Sequence, residues 1–213
     1  MCLQALEDLH RIGYLHRDIK PQNYAIGRDP DFRKVYLLDF GMSRQFLRKD
    51  GSQKRPRRDV GFRGTLFYAS YHALKGEEQS RRDDVWSWFF TIIQLALGKL
   101  PWRDIRINPQ WSFEQRRDVF TEKKQKALSS SKNELIEGLP SEFKIIYDNL
   151  KLLQYYDTPN YMLYYGAFQS IMMRNGYNDK SPLDWEPEGE YHKQTMMAPM
   201  HTMMFGERHS SED

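Results

Sequence analysis

The chain has 213 residues, of which 29% are charged and 39% hydrophobic, with a formal net charge of +3. That length suits one domain with a sizeable core and is short for two, and so mild a charge gives no argument for a nucleic-acid partner. Cys2 is the one cysteine, which excludes an intrachain disulfide and points to a reducing compartment, the cytoplasm or the nucleus. Residues 1–10 mix apolar and charged positions, unlike a signal peptide. The most apolar stretch, 86–97, is too short for a membrane span and contains Ser87, Thr91 and Gln94.

In chain order, Leu3, Leu6, Leu9 and Ile12 recur at every third or fourth position and predict a helix over 2–11 that stops at Gly13. No cap or strand precedes that helix, so the chain is expected to have lost an upstream segment. A polar loop over 14–23 follows, then two short strands at 24–26 and 35–38 joined by a turn through 27–31. Residues 44–64 are irregular and rich in Arg, Lys and Gly, a longer stretch than most loops in a compact domain. From 82 to 97, Val85, Trp86, Phe89, Phe90, Ile92, Ile93 and Leu95 cover most faces of a helix, which predicts a buried central one ending at Gly98. Amphipathic helices are predicted over 111–130 and 140–153. Another begins at 157–159, with Thr158 as its cap, Pro159 in its first turn, and Tyr161, Tyr164, Tyr165 and Phe168 on its packing face. Residues 186–213 lack any period and are expected to form a disordered tail, their Met and His runs reflecting compositional bias.

The residues that carry chemistry are two aspartates on loops beside short strands. Asp18 lies between Arg17 and, two positions on, Lys20; Asn23 follows five positions after it; Asp39 precedes Phe40-Gly41. Phosphoryl transfer needs a carboxylate to receive or orient a hydroxyl, oxygen ligands for Mg2+, and a cation to offset charge on the moving group. Asp18, Asn23, Asp39 and Lys20 supply that inventory. Any one of them alone reads better as a capped turn or a surface charge.

His16-Arg17-Asp18-Ile19-Lys20-Pro21-Gln22-Asn23 followed by Asp39-Phe40-Gly41 resembles the catalytic loop and metal-binding motif of the protein kinases, and Lys20 marks the serine/threonine branch. Within it the chain resembles the casein kinase 1 superfamily, most closely its tau-tubulin kinase branch and nematode relatives. The motifs are Leu38 to Phe46, Gly61-Phe62-Arg63-Gly64-Thr65 with Tyr68-Ala69-Ser70, Arg82-Asp83-Asp84-Val85-Trp86-Ser87, and Leu100-Pro101-Trp102. The resemblance implies a kinase-like domain over 1–185, with a catalytic loop at 16–23, a metal motif at 39–41 and an activation and substrate segment at 42–70. It implies Asp18 as catalytic base, Lys20 steadying the phosphoryl group and touching Thr65, and Asn23 and Asp39 holding Mg2+ for ATP. Asp84 would anchor the loop backbone near His16 and Arg17. Protein substrates are the expected partners, with no membrane and no nucleic acid.

Arg48, Lys49, Lys54, Arg55, Arg57, Arg58 and Arg63 crowd the substrate segment against Asp50 and Asp59. Arg55, Arg57, Arg58 and Arg63 are candidates for docking acidic or phosphate-primed peptides, although a solvated loop explains them equally well. Phe67 stands where most relatives carry an arginine for the priming phosphate. Ala-Pro-Glu is replaced by Tyr68-Ala69-Ser70, and Phe89 replaces the glycine three residues after the tryptophan, with its bulk expected beside the catalytic loop.

No glycine-rich phosphate loop, third-strand lysine with its glutamate partner, or hinge is found in the sequence. The resulting expectation is a mainly α-helical kinase large lobe with short β-hairpins at the catalytic loop and no small β-rich lobe, truncated and weak or inactive alone. The alternative is a non-catalytic binding or scaffolding protein.

Overall fold

The computed structural model describes residues 1–58, 60–130 and 133–197. The chain divides into two compact units, Met1–Asn178 and Asp179–Asp213.

In the first unit, helix α1 (Cys2–Arg11) buries Leu3, Leu6 and Leu9 on one face, and His10 continues the buried stripe. It stops because Ile12 N and Gly13 N turn back onto Asp8 O and His10 O, and Gly13 takes the left-handed φ of 86° that a side chain would resist. Strand β1 (Tyr14–Leu15) pairs antiparallel with β4 (Arg44–Gln45), and β2 (Tyr24–Ile26) pairs antiparallel with β3 (Val35–Leu37), in the register Tyr24↔Leu37 and Ile26↔Val35. Aromatic and β-branched side chains suit such paired, half-buried backbones.

These strands correct the expected fold class. The chain is not a helical body with its β-rich part absent: four strands in two sheets form a small β-region within the first 45 residues, beside a helical body. Of these, β2 and β3 fall where strands are predicted, while β1 and β4, two residues each, are too short for a period of two to show in the sequence. The pairing also sets the site. The loop 16–23 leaves β1 and enters β2, and 39–41 leaves β3 and enters β4, so the β2–β3 hairpin and the β1–β4 pair that closes around it in sequence bring both loops together.

The body is built on α3 (Arg81–Leu97). Asp83 caps its start by accepting Ser80 N at 2.7 Å, and Gly98 ends it at φ 71°. Val85, Phe89, Phe90 and Ile93 are fully buried, and Trp88 stacks on Tyr164 at 5.8 Å. Each such side chain contributes about 1.5–3 kcal/mol through removal from water. Phe89 packs against Phe143 and Tyr147 of α5 (Glu142–Leu152), at 6.1 and 6.3 Å between ring centres. Ahead of α3 runs a single turn of helix, α2 (Tyr71–Leu74), capped by Ser70 Oγ on Ala73 N at 3.0 Å.

Helix α4 (Phe113–Ser129) begins with a reciprocal cap between Ser112 and Gln115. Helix α6 (Tyr161–Arg174) is capped by Asn160, whose Oδ1 accepts Leu163 N at 3.1 Å, and not by Thr158. Asn also ranks above Thr as an N-cap. Among the described residues no helix is long and apolar enough to cross a membrane.

In the second unit, residues 179–197 form turns followed by α7 (His192–Met197). Of the tail expected at 186–213, residues 198–213 lie outside the described residues.

Candidate active site

Asp84, one turn into α3, is fully buried, and its carboxylate is shared by three donors. Oδ2 accepts His16 N at 2.7 Å and His10 Nε2 at 2.9 Å, and Oδ1 accepts Arg17 N at 2.7 Å. Burial pushes its pKa up, but the His10 hydrogen bond and the histidine charges outweigh that and hold it below the ordinary carboxylate value. An ionised carboxylate only accepts, so His10 donates through Nε2, while its Nδ1 meets the Tyr161 hydroxyl at 2.5 Å. Helices α1, α3 and α6 thus converge on the backbone of the 16–23 loop.

That anchorage holds a strained conformation. Arg17 sits at φ 68° and Asp39 at φ 59°, the left-handed region that non-glycine residues avoid. Arg17 Nε donates to Met42 O at 2.6 Å, and His16 Nε2 bonds Leu38 O at 2.9 Å, tying the two loops to each other. Gly64 comes so close that a Cβ there would lie 2.6 Å from Arg17 O.

On the loop so held, the Asp18 carboxylate is nearly buried. Its Oδ2 accepts Lys20 Nζ at 2.6 Å, and its Oδ1 accepts the Thr65 hydroxyl at 2.7 Å. Lys20 Nζ also donates to Thr65 Oγ1 at 3.1 Å. Asn23 Nδ2 donates to Asp18 O at 2.8 Å, which leaves its amide oxygen as the acceptor, and Leu38 N donates to Asn23 O at 2.8 Å. Asp39 is exposed at the end of the same hairpin and caps the turn through Gly41 N at 3.2 Å.

Among the described residues no three His, Cys, Asp or Glu side chains gather as a metal group. Mg2+ is commonly held by one or two side-chain oxygens plus substrate phosphates, so Asn23 and Asp39 fit it by donor chemistry without such a trio. A cavity of about 1150 Å3 opens between α1, β3 and Phe40. Asp18, Lys20 and Asn23 do not line it; its largely apolar wall also carries Asp8, Arg33 and Lys34.

The docking arginines divide. Arg57 is engaged: Nε and Nη2 grip Glu78 at 2.6 and 3.2 Å, with Arg44 3.9 Å from the same carboxylate. Burial raises the Glu78 pKa, but the Arg57 hydrogen bond and the arginine charges hold it low. Arg55, Arg58 and Arg63 are exposed; Arg63 Nη1 donates to Phe62 O at 3.1 Å while its carbonyl accepts Gln79 Nε2 at 2.8 Å, and Asp59 lies outside the described residues. His10, Tyr161, Glu78 and Lys124 were missed in the sequence. His10 left a signal as a polar member of the buried Leu stripe of α1, and Tyr161 as part of the packing face of α6.

The protein kinase domain family matches residues 1–154. A probable serine/threonine-protein kinase of Dictyostelium discoideum is 38% identical over 86% of this chain and 35% of its own length. The serine/threonine-protein kinase spe-6 of Caenorhabditis elegans is 34% identical over 86% of this chain and 47% of its own length. The chain therefore spans about a third to a half of these relatives. Both are described only as serine/threonine kinases, which replaces the narrower assignment to the tau-tubulin kinase branch of the casein kinase 1 group. The further expectation of a large lobe alone is corrected by the β-region described above. With its family match covering most of the sequence and two relatives of one kind, the chain belongs to the protein kinase family, among the serine/threonine kinases.

Proposed function

We propose that the loop 16–23 and the motif 39–41 transfer the γ-phosphoryl group of ATP to serine and threonine hydroxyls of proteins. One observation carries this reading: the Asp18 carboxylate already accepts a threonine hydroxyl, that of Thr65, at 2.7 Å, with Lys20 Nζ on its other oxygen. A substrate hydroxyl placed likewise would give its proton toward Asp18 as its oxygen attacks the γ-phosphorus and ADP departs. Lys20 offsets charge on the transferring group. Asn23 and Asp39 would hold Mg2+, which supplies neutralisation of the phosphate oxygens. Asp84 contributes by fixing where Asp18 stands.

Arg55, Arg58 and Arg63 are the groups we assign to acidic or phosphorylated stretches of the substrate, with Arg57 excluded by its bond to Glu78. The single cysteine suits work in the cytoplasm or nucleus.

The test compares the wild-type chain with Asp18→Asn, using radiolabelled Mg-ATP and serine peptides with and without acidic neighbours. Loss of general-base help should lower transfer by about 10²-fold or more. Equal rates in the two proteins would sink the assignment of Asp18. No transfer by the wild-type chain would leave the non-catalytic binding role instead.

A further inference from the structure

Lys124 lies in the middle of α4, a helix with mostly charged and polar residues, yet its side chain is completely buried. Nζ donates to Leu66 O at 3.1 Å and to Ala69 O. The same ammonium stands 4.8 Å from the ring centre of Phe90 and 4.6 Å from that of Trp102. Its partners are thus two carbonyls and two ring faces. A buried cation is costly unless its protons are taken up, and carbonyl oxygens with aromatic faces meet that need. Burial moves its pKa well below that of an ordinary lysine. A methionine would fill the same space without desolvating a charge. What the amine adds is two directed bonds.

Those bonds end on the segment that carries Thr65. Tyr68 N and Ala69 N both donate to Thr65 O, at 3.0 and 2.9 Å, so 65–69 is one tight turn. Trp102 Nε1 holds Phe67 O from the same side at 2.8 Å. Fixing the carbonyls of Leu66 and Ala69 therefore fixes the turn, and with it the Thr65 hydroxyl against Asp18 and Lys20.

We propose that Lys124 is a positioning residue for the phosphoryl acceptor: through Leu66 and Ala69 it sets the register of the 65–69 turn against which a substrate serine or threonine is laid. This rests on the kinase reading above. It tethers the stretch in which Tyr68-Ala69-Ser70 stands instead of Ala-Pro-Glu.

The test uses the full chain with Lys124→Met, read by amide hydrogen exchange and by steady-state transfer to an acidic serine peptide. Loss of the two hydrogen bonds from Nζ implies about tenfold or greater acceleration of exchange at 65–71, with α3 and α5 unchanged. The peptide KM should rise about tenfold with the ATP KM unmoved, because binding of the acceptor and not of the nucleotide is disturbed. Unchanged exchange at 65–71 overturns the proposal. So does faster exchange there with an unaltered peptide KM. If Lys124→Met does not fold, Lys124→Gln is measured in its place; failure of both to fold makes Lys124 a general core residue and also overturns it. A wild-type chain that transfers no phosphate sinks the kinase reading and with it the acceptor role of Lys124, whereas unchanged exchange at 65–71 in a chain that does transfer sinks the Lys124 proposal alone.

Discussion

Replacing Asp84 with Asn tests whether one carboxylate anchors the loop 16–23. The side chain is isosteric, so packing is preserved while one oxygen becomes an NH2 group. Asp84 serves His16 N and Arg17 N at 2.7 Å each and His10 Nε2 at 2.9 Å. An Asn oxygen can keep one backbone amide, and the other then faces a donor and is left unsatisfied, at about 1–3 kcal/mol. The surviving bonds change from charge-assisted to neutral, losing about 1 kcal/mol each. Relief from burying a charge offsets part of this, which leaves a net loss of about 3 kcal/mol. For a chain of this size that lowers Tm by about 6–12 °C. Urea unfolding followed by circular dichroism gives the free energy, and amide exchange at His16 and Arg17 locates it. A loss under about 1 kcal/mol, with both amides still protected, would refute the anchoring argument. The pH dependence adds a second check. The folded-state pKa of Asp84 is depressed, so its contribution is complete above the unfolded carboxylate pKa and disappears as pH falls through the folded value. The Asn variant should therefore lose less stability on acidification than the wild type.

Three further outcomes are expected. Gly64→Ala should cost about 1–3 kcal/mol from its φ of 120° and more from the contact with Arg17 O, and an unchanged urea midpoint would contradict the close approach. Glu78→Gln should cost about 1–2 kcal/mol, since half-exposed Arg57 dilutes the pair, and should flatten the acid limb of the stability curve because the folded Glu78 pKa is depressed. Tyr161→Phe removes the hydroxyl on His10 Nδ1 and should cost about 0.5–1.5 kcal/mol while speeding exchange at His16; no change in either measurement would detach α6 from the loop.

What the sequence determined by itself follows from local rules. Leucines at helical spacing placed α1 at 2–11, and the apolar surround of α3 announced its burial, because both patterns repeat with the period of the element they form. The eight residues 16–23 with 39–41 announced the protein kinase family, which the family match over 1–154 bears out, because those motifs stand close together in sequence. Tertiary structure decided the rest. Lys124 and Leu66 are 58 positions apart, His10 and Tyr161 are 151, and neither pair has a periodic signature. Arg57 looked like a free docking cation until the fold brought Glu78 beneath it, and Asn160 displaced Thr158 as a cap by one choice of backbone turn. Strands β1 and β4 needed each other across 29–31 positions, since no isolated segment of two residues could hold an extended pairing. Which polar groups meet in the interior depends on how packed elements cross, and that is a property of the whole chain.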